Sequence, residues 1–242
     1  MSTRAHYIEV RGLPIEIVRK EIKNLHVGVY PPAGRIRVAA PLRINDEAVR
    51  LAVISRLSWI RRQQTQFTNQ ERQSHREFVS GESHYFQGRR YRLNVVEHDG
   101  PSFVYLPNIR TMQLFVRPAL YGKQREAVVQ QWYRRSLRKQ IPQLLERWEA
   151  KLGVTVADVR IRRMKTRWGG CNANARRIWL NLELAKKAPK CLEYILVHEM
   201  VHLLERHHND RFRSVMDKIM PSWRSYRDEL NRAPLANENW KY

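Results

Sequence analysis

The segment His198-Glu199-Met200-Val201-His202 sets two histidines four residues apart inside an apolar run. Ile195-Leu196-Val197 precede it and Leu203-Leu204 follow. A run of this composition, continuing back to Leu192, predicts a buried helix, and residues four apart on a helix share one face. Buried polar groups need partners, so two imidazoles on such a face call for one. A single metal ion reached by both supplies it. Glu199 follows the first imidazole, where its carboxylate can hold a water on that metal. H-E-x-x-H in this setting points to a zinc hydrolase, whose metal polarises a carbonyl and acidifies water.

A catalytic zinc takes a third protein ligand and keeps a fourth position open. The residues that follow offer Glu205, His207, His208 and Asp210. Glu205 can share the helical face of the two histidines, but a ligand from a separate element makes a better tetrahedron. A turn after Arg206 would bring His208 back over the metal, which makes it the first candidate. His207 and an acid further along are the alternatives. His207 also suits a helix-end residue bonding the last carbonyls, or a donor to a developing oxyanion. Cys171 as a fourth ligand would close the site. A small buried thiol is the simpler reading of it, and packing that of Cys191.

The net charge of +22 comes from 45 Lys and Arg against 23 Asp and Glu, and it attracts polyanions at long range. DNA or RNA on this basic surface is therefore a candidate partner beside a peptide or protein substrate. The alternative function is a nucleic-acid-associated protein whose metal site serves DNA-linked protein processing or recruitment, although no zinc finger or RNA-binding aromatic motif accompanies the charge. No apolar run reaches the roughly 18 residues of a membrane span. The segment 1–7 has no apolar stretch, so no secretory signal is expected. Two cysteines are too few for a disulfide framework, and a cytoplasmic location is expected.

Period-two alternation predicts strands at Tyr7–Arg11, Leu25–Tyr30 and Arg35–Ala39. Asn45 is a natural N-cap for one helix through about Gln64, and the polar stretch Gln63–Glu77 reads as a frayed end or linker. Strands return at Tyr91–Val96 and Gln113–Val116. A long helix covers Lys123–Lys151, with Val128, Trp132, Leu137, Ile141, Leu145 and Trp148 for its buried face and Pro142 to kink or divide it. Val156–Arg162 and Arg177–Leu182 are strands about a turn at Gly169-Gly170, placed directly before the metal helix. Asp210 or Asn209 caps a following helix through about Met220, where Pro221 stops it. The chain thus divides into a β-rich half with one helix, 1–122, and a metal-bearing half, 123–242, integrated in one domain of α+β class.

Met164-Lys165-Thr166-Arg167-Trp168-Gly169-Gly170-Cys171 resembles the K-T-R-W-G-S-C segment of the YgjP-like metal-dependent hydrolases. Ile178-Trp179-Leu180-Asn181, then Tyr194 through Glu199, follow in that family's order. His198-Glu199-x-x-His202, five residues, His208 and Phe212 match its H-E-x-x-H-x-x-x-x-x-H-x-x-x-F signature. The resemblance implies a zincin-like fold of minigluzincin type, related to the SprT and WLM domains. It implies zinc on His198, His202 and His208 with Glu199 as general base in a metallopeptidase. Gly170 stands where Ser is usual and His207 where Asn is common. Lys165-Thr166-Arg167-Trp168 can line the cleft and bind a substrate carboxylate or phosphate, but the preferred reading is a hairpin whose Trp168 packs on the metal helix while its cations stay in solvent. Trp179 and Asn181 are candidates on an edge strand aligning an extended peptide by main-chain bonds, a pairing that Leu180→Pro would remove.

Overall fold

The computed structural model describes residues 5–30, 33–69, 76–164 and 167–232. The chain forms two compact units, 1–71 and 72–242. Residue 122, where strand patterning gives way to helix patterning, is the first residue of the long helix inside the second unit. The described residues form three sheets and six α-helices, a mixed α/β architecture.

The first unit holds β1 (Ala5–Val10), β2 (Leu13–Lys20), β3 (His26–Tyr30) and β4 (Arg35–Pro41) in the order β1-β2-β4-β3. β2 is not apparent in the sequence. It lies inside the sheet, parallel to β4, with Ile15, Ile17 and Val18 all buried. A strand covered on both faces loses the alternation by which strands are recognised. The helix expected from Asn45 is two: α1 (Asp46–Ile54) and α2 (Leu57–Asn69). The Asn45 side chain caps α1 by accepting from the Ala48 N–H at 2.9 Å. The Ser55 hydroxyl donates to the Ala52 carbonyl at 3.0 Å, where α1 ends. Of the apolar positions at helical spacing expected to form the buried face, Val49, Val53, Leu57 and Ile60, all but Leu57 are buried in this unit's core; Leu57, the first residue of α2, is only partly buried. The expected linker is helical to Asn69; residues 70–75 lie outside the described ones.

The second unit repeats that connection pattern without repeating its sequence. β5 (Ser83–Phe86), β6 (Arg89–Glu97), β7 (Phe103–Tyr105) and β8 (Thr111–Val116) run β5-β6-β8-β7, again two antiparallel pairs joined by one parallel pair. α3 (Gly122–Leu152) follows and stays one helix through Pro142. Its buried stripe is Val129, Tyr133, Leu137, Ile141 and Trp148; Val128, Trp132 and Leu145 are only partly buried beside it. Gly153 ends the helix at φ 64°, where a side chain would be strained. β9 (Asp158–Arg162), β10 (Gly169–Asn172) and β11 (Arg177–Asn181) form a sheet ordered β10-β11-β9. A 3-10 turn, Leu182–Lys186, leads into α4 (Pro189–Val201), then α5 (Asp210–Ile219) and α6 (Trp223–Arg232). α4 is buried nearly all round, by Cys191, Leu192, Leu196, Val197, Met200 and Val201 among others. It is the central helix of this unit's core.

His84 lies buried in the same core, its ring 5.2 Å from that of Phe78 and its Nε2 3.2 Å from Glu82. Burial, aided by the Arg76 and Lys186 charges and opposed by Glu82, pushes its pKa down to about 4. The unfolded chain takes up this proton near pH 6.5, the folded one only near 4, so stability falls as pH falls through that window. The expected loss between pH 7 and 4.5 is about 2 kcal/mol. Denaturant unfolding at the two pH values should show a shallower dependence for His84→Gln; equal dependence would refute the assignment.

Candidate metal centre

The sequence folds His198 onto the last turn of α4, and His202 is its C-cap residue, still in right-handed helical conformation at φ −66°. The helix cannot continue with the chain returning over it. The Leu203 and Glu205 N–H groups bond back to Met200 and Val201, closing the turn. α5 then starts with Asn209 as N-cap, its side chain accepting from the Phe212 N–H at 3.0 Å. His208 stands between these two ends and is thereby carried back over α4. His198, His202 and His208 each present one nitrogen, all within 4.8 Å of one another.

The details fit a metal. His198 Nε2 and His208 Nε2 lie 2.9 Å apart. Two neutral imidazoles can share at most one proton there, and a cation between lone pairs satisfies both. His202 donates Nδ1–H to the Glu205 carbonyl at 3.0 Å, which leaves its Nε2 lone pair available to a metal. Burial, then the His202 and His208 charges, push His198 down to about 3. Burial also lowers His208. Both are held in the neutral form a metal needs. Buried Phe212 packs beneath all three, its ring 5.0, 4.8 and 4.7 Å from those of His198, His202 and His208.

Glu199 is 6% exposed, and burial pushes its carboxyl up to about 8 while the Arg167 charge opposes the shift. It packs against Gly169 on β10. A Cβ there would lie 2.5 Å from Glu199 Oε1 and 2.8 Å from Ile195 Cγ2, so only glycine lets the strand pass this close. A Cβ at Gly170 would meet nothing within 4 Å, so the serine usual there has room.

These residues line a cleft of about 980 Å³. Its walls include Arg167, Trp168, Gly169 to Asn174, Trp179, Tyr194, Ile195 and Arg206 around His198, Glu199, His202 and His208. Of the residues expected at the site, Asn181 and His207 are not in its walls. Asn181 is fully buried; it donates to the Met164 and Arg167 carbonyls at 2.8 and 2.7 Å and accepts from Glu183 N–H at 3.2 Å. It shapes the approach to β10 rather than meeting solvent. His207 is exposed, its N–H on Glu205 Oε1 at 3.2 Å. Cys171 lines the cleft, with burial pushing its thiol up to about 11, and is not in the histidine group. Lys165 and Thr166 lie outside the described residues.

The expectation of an edge strand at Trp179–Asn181 is corrected. β11 is the middle strand, paired with β10 on one side and β9 on the other, so its main chain is already engaged. β10 is the edge that faces the cleft. Leu180→Pro would break the sheet itself. Sequence reasoning also passed over Tyr194, Arg206, Gly169 and Phe212 as site residues. Tyr194 had a signal: it is four residues before His198, on the same helical face.

The sequence profile of the family described as YgjP-like, metallopeptidase domain, matches residues 24–233. The chain belongs to this YgjP-like metallopeptidase family, and the protein is by family a metallopeptidase-class enzyme. No curated protein matches it. The crystal structure of the metallopeptidase zymogen of Pyrococcus abyssi abylysin is similar over 37% of this chain and 90% of its own, at 25% identity and a TM-score of 0.35.

Proposed function

We propose that the protein is a zinc-dependent peptidase with a zincin-like fold of minigluzincin type. His198, His202 and His208 hold the metal and Glu199 is the general base. The convergence of three imidazole nitrogens within 4.8 Å, with a buried carboxyl on the residue after His198, carries this reading. Three imidazoles suit zinc, with nickel, copper and iron as competitors. When bound, the metal supplies Lewis-acid polarisation of the scissile carbonyl and acidifies water. Its charge also favours the ionised form of Glu199. Glu199 takes a proton from the attacking water and returns it to the leaving amine. The edge of β10 offers main-chain groups to an extended peptide, and Trp168, Trp179 and Tyr194 wall the cleft. No helix of the described residues is long and apolar enough to cross a membrane. Both cysteines are free thiols, and a cytoplasmic location is part of the proposal.

Metal analysis of the purified protein should find about one zinc per chain, as three ligands and one open position require. A chelator should abolish cleavage of an unfolded protein substrate and added zinc restore it. His208→Ala should lose most of the zinc. Full activity in the metal-free protein would rule the proposal out.

A further inference from the structure

Besides the histidines and Glu199, the charged side chains lining the cleft are Arg167 and Arg206. Both are exposed, and among the described residues neither meets a carboxylate. Some arginines of this unit do reach an acid, Arg147, Arg163 and Arg177 each at 2.9 Å, so the two in the cleft are available to an incoming one. The two cations stand on different elements. Arg167 leads into the edge strand β10, near enough to Glu199 to act on its carboxyl. Arg206 lies in the turn between His202 and His208. Arginine binds carboxylate and phosphate alike, and cations on separate elements suit anionic groups spaced along an extended chain; in a cleft read as a peptidase's, that chain is a peptide and the groups are carboxylates.

We propose that the cleft selects acidic peptide segments, with Arg167 and Arg206 receiving Asp or Glu side chains on either side of the bond to be cut. This rests on the peptidase reading above. The excess of 45 Lys and Arg over 23 Asp and Glu works in the same direction by drawing acidic chains toward the protein. Exposed charge pairs are weak singly, so each arginine contributes on the order of fivefold selectivity and the two together about twentyfold.

The test is binding to the zinc-loaded Glu199→Gln protein, which does not depend on turnover. Three fluorescent octapeptides differ only at the two positions flanking the central bond, carrying Glu, Gln or Lys. The Glu peptide should bind about twentyfold tighter than the Gln peptide and tighter still than the Lys peptide. Arg167→Gln with Arg206→Gln, exposed changes that leave folding intact, should bring the three together. Equal affinities in the parent protein would overturn the inference. So would a single-stranded oligonucleotide that outcompetes the Glu peptide and loses its hold in the double variant. Cleavage by zinc-loaded wild type separates the two readings. Selective binding with no peptide ever cut leaves the acidic cleft standing and removes the peptidase. Cleavage of Glu and Lys peptides at equal rates does the reverse.

Discussion

Glu199→Gln should keep the zinc, keep the fold and lower turnover by about 10²- to 10⁴-fold, the usual contribution of a general base. The amide has the shape of the carboxylate and can still hold a water, but it cannot take the water's proton. Its surroundings favour the change structurally. Glu199 is 6% exposed between α4 and β10, and burial already disfavours its charge. The metal-free variant should therefore unfold at no lower temperature than the parent. Zinc content by mass spectrometry, thermal unfolding and kcat on an unfolded protein decide the matter together. Unchanged kcat would exclude Glu199 as the base. Loss of zinc alongside activity would make its role structural.

Gly169→Ala should reduce activity by about 10²-fold while the three histidines still bind zinc, because the new methyl group overlaps the Glu199 carboxylate, the proposed base. The added Cβ would lie 2.5 Å from Oε1 and 2.8 Å from Cγ of Glu199 and 2.8 Å from Ile195 Cγ2. Real Cβ atoms do not approach so closely, so either β10 lifts from α4 or Glu199 swings aside. Overpacking of this kind costs about 1–3 kcal/mol, and a 1 Å displacement of a reacting group costs on the order of 10²-fold in rate. The adjacent Gly170→Ala is the control for stability: its Cβ meets nothing within 4 Å, so its unfolding midpoint should match the parent's. A normal kcat in Gly169→Ala would show that Glu199 does not depend on the fit against β10.

The imidazoles and Glu199 were legible because their information is local. A four-residue spacing in an apolar segment states the helix, the shared face and the need for a partner at once. His208 was legible in kind but not in certainty. Its return depends on the turn at Leu203–Glu205 and on the Asn209 cap, and only the first candidate among several could be named from sequence. β2 was hidden because burial on both faces erased its alternation. The break between α1 and α2 was hidden because Val53 and Ile60 keep helical spacing across it.

The roles on the β9–β11 sheet were misread for another reason. Residues Trp179–Asn181 carry a clean strand pattern, and pattern alone does not say whether a strand has one neighbour or two. Their partners come from 158–162 and 169–172, and the parallel pairing with β9 puts β11 in the middle. Asn181, read as facing a peptide, turned out to bond the Met164 and Arg167 carbonyls.

The sequence by itself determined the chemistry this chain can hold: two imidazoles and a carboxyl on one buried helix, a strongly basic surface, and a family signature across Arg167 to Phe212. The tertiary structure alone decided which groups share the cleft. It placed Gly169 against Glu199, Phe212 beneath three imidazoles, Arg167 and Arg206 in one wall system, and β10 rather than β11 at the edge. Periodicity records which face of an element is covered, because that cost is felt residue by residue. Which element does the covering depends on pairings between distant segments, and no local pattern carries them.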